Sequence, residues 1–188
     1  MFYLVRHGET AWSLTGQHTG LTDLSLTENG RQQAKALKSS LEKLSFSEVW
    51  CSPLKRARET CQLAGFSERA EIMPELTEWN YGSYEGLTRA EIIKKEPSWN
   101  IFKHGAPSGE SPADIQARAA RVIARLHQAI GHVLIFSSAH ILRSIASCYV
   151  SQTPDFGRYL LLNPASISIL DYEHETPVIK LWNLTSSH

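Results

Sequence analysis

The chain has 188 residues, and its 19 Lys and Arg are balanced by 19 Asp and Glu, giving a formal net charge of zero. That length suits one domain, which buries roughly 70% of its unfolded surface and needs no covalent staple. The balance excludes a general attraction to nucleic acid or to an acidic membrane surface, so any anion must be held by a few local cations.

Phe2 to Val5 is short, apolar and partly β-branched, the pattern of a buried strand. Gly8 to Asp23, rich in Gly, Thr and Ser, reads as a loop. Thr27 is a candidate cap for a helix running to about Leu44, with Ala34, Leu37, Leu41 and Leu44 on one face. Glu48 to Cys51 reads as a second strand, Leu54 to Ala64 as a helix closed by Gly65, and residues 70–73 as a short strand. Thr88 to Glu96 reads as a helix stopped by Pro97. Ser111 followed by Pro112 predicts the start of the longest helix, running to about Ile130 before Gly131. Val133 to Phe136 is a third core strand, Ile141 to Val150 a helix, and Ile167 to Tyr172 and Val178 to Trp182 the last two strands.

Strands alternating with helices imply an α/β fold: a mainly parallel sheet covered on both faces, a three-layer α/β/α sandwich. Ligands of such folds bind beyond the carboxyl ends of the strands. The stretches after Val5, Trp50 and Phe136 therefore carry the most information.

After the first strand comes Arg6-His7-Gly8-Glu9-Thr10. Arginine offers planar donors to phosphate oxygens, glycine permits close approach to the backbone, and a neutral imidazole in one tautomer is a nucleophile toward phosphorus. After the second strand, Arg56 sits just inside a helix start, where the backbone itself favours anions. A solvated helix face is the plainer alternative for Lys55, Arg56 and Arg58. Cys51 is not placed as a cysteine-phosphatase nucleophile, because only four residues separate it from Arg56. Glu75, Glu78 and Glu85 flank an aromatic, glycine-containing stretch, Trp79 to Tyr84, where a carboxyl group can act on a proton. An ordinary acidic surface loop is the alternative there.

Together these residues resemble the histidine phosphatase superfamily, the phosphoglycerate-mutase-like branch 1. Leu4 to Thr10 looks like its signature, Thr19 to Asp23 with Leu26 to Gly30 like its phosphate-side loop, and Ser52 to Ala57 like its second arginine motif. Glu78 with Tyr81-Gly82 and Tyr84 to Leu87 resembles its acid-bearing segment, and Gly109-Glu110-Ser111 the motif that opens its long helix. The match runs in order from residue 2 to about residue 183, and is nearest to small bacterial sugar-phosphate phosphatases and sedoheptulose-bisphosphatase-like members. Phosphoglycerate mutase is the less favoured relative, because the chain is short where mutases carry an insertion.

The resemblance implies catalytic roles for His7 as phosphate acceptor, Arg6 and Arg56 as ligands of the phosphoryl oxygens, and Glu78 as proton donor. It implies pocket contacts from Ser13, Gln17, Thr19, Gly20 and Tyr81, with no metal and no cofactor. The family normally has a second histidine after the third core strand, five residues before an arginine. Counting back from Arg143 places Ser138 there, with Ala139 in place of glycine and His140 beyond it. Ser138, Ala139 and His140 are thus candidate substrate contacts. Losing an imidazole donor to the transition state costs about 3–4 kcal/mol. Three readings follow: a phosphomonoester hydrolase of reduced activity, an impaired enzyme that binds phosphorylated ligands without turnover, or a form engineered to trap a ligand.

The expected partner is a small phosphorylated metabolite, a sugar phosphate by resemblance, with no nucleic acid and no membrane. Arg89, Lys94, Lys95, Lys103 and His104 are candidates for a second phosphate, with a solvated surface as the preferred alternative. Trp99 and Tyr159 are candidate interface aromatics for a homo-oligomer, with burial in the core as the alternative. Cys51, Cys61 and Cys148 form no disulfide framework. No signal peptide or long apolar run is visible, so reduced thiols in the cytoplasm are expected.

Overall fold

The computed structural model describes residues 1–185. Six strands form one sheet in the order β3-β2-β4-β1-β5-β6, where β1 is Phe2–Arg6, β2 Glu48–Cys51, β3 Ala70–Ile72, β4 Val133–Ser137, β5 Ile167–Glu173 and β6 Thr176–Leu184. The strands from β3 to β1 pair in parallel, and β5 and β6 complete the sheet antiparallel. The expected three-layer α/β sandwich is therefore the observed one.

Alternate residues of the central strands serve two separate cores. Phe2, Leu4, Trp50, Val133 and Ile135 face one layer, built on α6 (Pro112–Leu126) and α7 (Ala139–Ser151). Tyr3, Val5, Val49, Cys51, Leu134 and Phe136 face the other, built on α2 (Glu28–Leu41) and α3 (Lys55–Leu63). A strand buried on both faces has no polar alternation to show, which is why these runs look uniformly apolar in sequence.

Helix starts follow their caps. Thr27 accepts from the Gly30 N–H, and Ser111 forms a capping box with Asp114 behind Pro112. Helix ends fall short of expectation because the last apolar residues find no core. α2 stops at Leu41, leaving Leu44 exposed, and α6 stops at Leu126, leaving Ile130 89% exposed. The helix expected over Thr88 to Glu96 is α4, Arg89–Ile93. Two short helices were not anticipated: α1 (Ala11–Thr15) inside the stretch read as a loop, and α5 (Ile101–His104). α1 has its own punctuation, a Thr10/Ser13 capping box and Gly16 in the left-handed region.

The carboxyl ends of β2, β4 and β1 lie side by side. Arg6 is in register with Ser137, and the His7 N–H donates to the Ser137 carbonyl at 2.9 Å. The chain can turn tightly there because Gly8 abuts Gly30: a Cβ on Gly8 would sit 2.4 Å from the Gly30 carbonyl oxygen.

Candidate active site

A cavity of about 230 Å³ opens at these strand ends, lined by Arg6, His7, Thr10, Ser13, Gly16, Gln17, His18, Thr19, Glu78, Tyr81, Ala139, His140, Arg143, Leu161 and Leu162. Nine residues anticipated from sequence thus share one wall. Arg56, Gly20 and Ser138, anticipated with them, lie behind it.

His7 is 4% exposed. Its Nδ1 lies 2.7 Å from the Gly8 carbonyl oxygen, an acceptor only, so Nδ1 carries the proton and Nε2 holds the lone pair. Burial, followed by the nearby charges of Arg56 and Arg6, holds the imidazole well below its ordinary range, so it is neutral at physiological pH. A neutral imidazole of fixed tautomer is what a nucleophile at phosphorus requires.

Arg6 gives one Nη1 hydrogen to the Leu162 carbonyl, and its Nε is sequestered from solvent with no acceptor. Burial brings this guanidinium down to about 10, so it stays charged at neutral pH. A buried donor without an acceptor is costly. Arg143, one helical turn beyond His140, also lines the cavity while its Nε donates to the Gly157 carbonyl at 3.0 Å.

Arg56 is fully buried, and its donors are turned onto the protein. Nη1 donates to Thr22 O at 3.1 Å, Nη2 to Thr19 O at 2.9 Å and Gly20 O at 3.0 Å, and Nε to Ser138 Oγ at 3.2 Å. It clamps the loop that folds over it, and it reaches the cavity as a positive field on His7. The same loop is held from the other side by Glu85, whose Oε1 accepts from the Gly20 N–H at 2.8 Å and the Thr22 N–H at 3.1 Å. That structural duty removes Glu85 as a candidate acid.

Glu78 is 4% exposed and sits at the start of α7. Its Oε1 accepts from the backbone N–H of Trp79 at 2.9 Å and of Ile141 at 2.8 Å, while Oε2 accepts only the His140 N–H at 2.9 Å. Oε2 therefore retains the spare lone pair for a ligand. Ser138 caps α7 by position alone: its side chain makes no capping bond.

His18, Tyr81 and His140 form an aromatic wall, with the two imidazoles stacked at 6.0 Å and the Tyr81 hydroxyl bonded to His140 Nδ1. His18 carries no motif label in the sequence. Arg143 is the arginine from which Ser138 is counted back, and its place on the cavity wall is signalled by its three-residue spacing from His140 on a helix start. The cations proposed for a second phosphate, Arg89, Lys94, Lys95, Lys103 and His104, are all exposed and outside the cavity, so the solvated surface is the correct description. Trp99 is buried against His18, whereas Tyr159 is 67% exposed. Among the described residues no cluster of His, Cys, Asp and Glu is arranged to hold a metal ion, and no helix is long and apolar enough to cross a membrane.

The imidazoles of His7, buried, and of His18 and His140, half-buried, make stability pH-dependent. Burial is the first cause in each: His7 and His140 are pushed well below the ordinary value, and His18 is lowered. The unfolded chain takes up these protons near pH 6.5, and the folded chain does so only at lower pH. The folded state is thus at full advantage above pH 6.5 and loses it as pH falls. Between pH 6.5 and 5.5 the expected loss is about 1 kcal/mol each for His7 and His140 and less for His18, roughly 2–3 kcal/mol in all. Urea midpoints at the two pH values check this; an unchanged midpoint contradicts neutral burial.

The profile of the histidine phosphatase superfamily (branch 1) matches residues 2–185. An acid phosphatase of Mycobacterium tuberculosis is 40% identical over 186 residues, covering 97% of this chain and 91% of that protein. Sedoheptulose 1,7-bisphosphatase of Saccharomyces cerevisiae is 36% identical over 178 residues, covering 78% of this chain and 66% of that protein. A solved structure of an open reading frame product from Mycobacterium tuberculosis superposes with a TM-score of 0.94 at 38% identity, covering 98% of this chain and 97% of that one. With the family profile spanning almost every residue, and with His7, Arg6 and Glu78 gathered at the strand ends, the chain belongs to the histidine phosphatase superfamily, branch 1.

Proposed function

We propose that the protein hydrolyses phosphomonoesters of a small phosphorylated metabolite through a phosphohistidine on His7. The observation that carries this reading is the pairing, on the wall of one small cavity, of an imidazole whose Nε2 makes no hydrogen bond among the described residues with a guanidinium, that of Arg6, that stays charged. A phosphoryl group suits both: an electrophilic phosphorus for the lone pair and anionic oxygens for the guanidinium.

His7 Nε2 attacks phosphorus, and the bond from phosphorus to the leaving oxygen breaks. Arg6 binds the non-bridging oxygens, and Arg56 stabilises their charge from behind the wall. A proton carried on Glu78 Oε2 passes to the leaving oxygen, which departs as the alcohol. Glu78 then accepts a proton from water as that water attacks phosphohistidine and the phosphorus–nitrogen bond breaks. A metabolite of sugar-phosphate size suits the cavity volume, and the yeast relative's name points the same way.

The burial of Ser138 and the commitment of Arg56 to backbone carbonyls favour a second reading, phosphate-ligand binding with little turnover. Release of inorganic phosphate from a chromogenic ester, absent in Arg6→Met, separates the two. Under either reading Arg6→Met is expected to weaken inorganic phosphate binding by roughly ten- to a hundredfold, the worth of charge-assisted hydrogen bonds. Calorimetry checks it, and unchanged affinity contradicts a phosphate seat at Arg6.

A further inference from the structure

We infer that Arg118, with Glu110, is the positioning residue that sets Glu78 for proton transfer; this rests on the proposed acid role of Glu78. Arg118, on α6, is 9% exposed and is not among the residues lining the cavity. Its Nε and Nη2 hold Glu110 Oε1 at 2.9 Å and Oε2 at 2.6 Å as a two-pronged pair. The same guanidinium also donates to three carbonyls in the segment that ends at Glu78: Glu75 at 3.0 Å, Thr77, and Glu78 itself at 3.3 Å.

Glu110 repeats the attachment on the far side of Glu78. Its Oε2 accepts the Asn80 N–H at 2.8 Å, its carbonyl accepts Trp79 Nε1 at 2.9 Å, and its N–H donates to the Asn80 carbonyl at 2.9 Å. Gly109 makes the approach possible, since a Cβ there would lie 2.2 Å from Asn80 O. The main chain on both sides of Glu78 thus hangs on one ion pair, while the start of α7 pins the carboxylate. Freeing the backbone end lets the carboxylate swing on its remaining bonds. A displacement of about 1 Å in a reacting group costs on the order of a hundredfold in rate.

The test uses leaving groups. Dinitrophenyl phosphate releases a stable phenolate and needs no proton, whereas glycerol phosphate releases an alkoxide that does. We compare kcat/KM on both esters for the wild-type chain, Glu78→Gln, Arg118→Lys and Glu110→Gln. Arg118→Lys keeps the buried charge but not the fork, and Glu110→Gln keeps the shape, so each gives an independent folded variant. The expected result is a loss on glycerol phosphate roughly ten- to a hundredfold larger than on dinitrophenyl phosphate, in Glu78→Gln and in both positioning variants. Equal losses on the two esters in Arg118→Lys and Glu110→Gln, beside a selective loss in Glu78→Gln, overturn the positioning role and leave the acid in place. A non-selective Glu78→Gln overturns the acid role, and the positioning role falls with it.

Discussion

His7→Ala is expected to abolish phosphate release, by roughly 10⁴-fold or more, while the chain stays folded and still binds inorganic phosphate. The size follows from what His7 alone supplies. Among the described residues it is the only imidazole in the cavity that combines a backbone-fixed Nδ1–H with the positive fields of Arg6 and Arg56, which favour an anion arriving at its Nε2. The alanine variant leaves the charged Arg6 and the anion seat in place, so binding survives when chemistry does not. It also removes one buried histidine, so part of the acid-side loss of stability, about 1 kcal/mol, disappears with it. Steady-state release of phosphate and phosphate calorimetry on the same sample read both parts. Near-normal release from His7→Ala requires a different nucleophile.

Ser138→His, made with Ala139→Gly, is expected to raise kcat/KM roughly a hundred- to a thousandfold. Ser138 is the first residue beyond β4, whose neighbour in the sheet, β1, ends one residue before His7. Its hydroxyl is too short to reach the cavity and accepts from Arg56 Nε instead. An imidazole on the same Cβ extends several ångströms further, toward phosphoryl oxygens, and adds a donor that strengthens as charge builds on them. The glycine removes a Cβ that lines the cavity beside it. Phosphate affinity should change far less than rate, because the new donor acts mainly on the transition state. If rate does not rise, the His140 and Tyr81 pair, or another group of the wall, already fills that place.

Much of the fold was legible because the signals are local. Thr27, Ser111 and Pro112 announce helix starts by hydrogen-bonding rules, and the short apolar runs around Leu4, Trp50 and Ile135 are strands because their neighbours break helices. Helix ends were less legible: Leu44 and Ile130 continue an apolar pattern, but the core they would join has already closed. The site's members were readable through strand ends, their duties less so. Nothing in Ser52 to Arg58 says that the carbonyls of Thr19, Gly20 and Thr22 will fold over Arg56 and occupy its donors. Nothing near Glu78 says that an arginine forty residues later will hold its backbone. His18 enters the wall through a loop closed by Glu85 and by its own bond to the Leu87 carbonyl, contacts made across more than sixty residues. The basic residues from Arg89 to His104 show the converse, a suggestive charge pattern that tertiary structure leaves in solvent.

In the proposed mechanism His7 carries the phosphoryl group. Intact mass of the chain, quenched at short times after mixing with a chromogenic phosphate ester and set beside His7→Ala, tests it most directly. The expected result is one phosphoryl group on the wild-type chain, decaying as inorganic phosphate appears and absent from His7→Ala. Phosphate release with no phosphorylated chain at any time, or a phosphorylated His7→Ala, would contradict it.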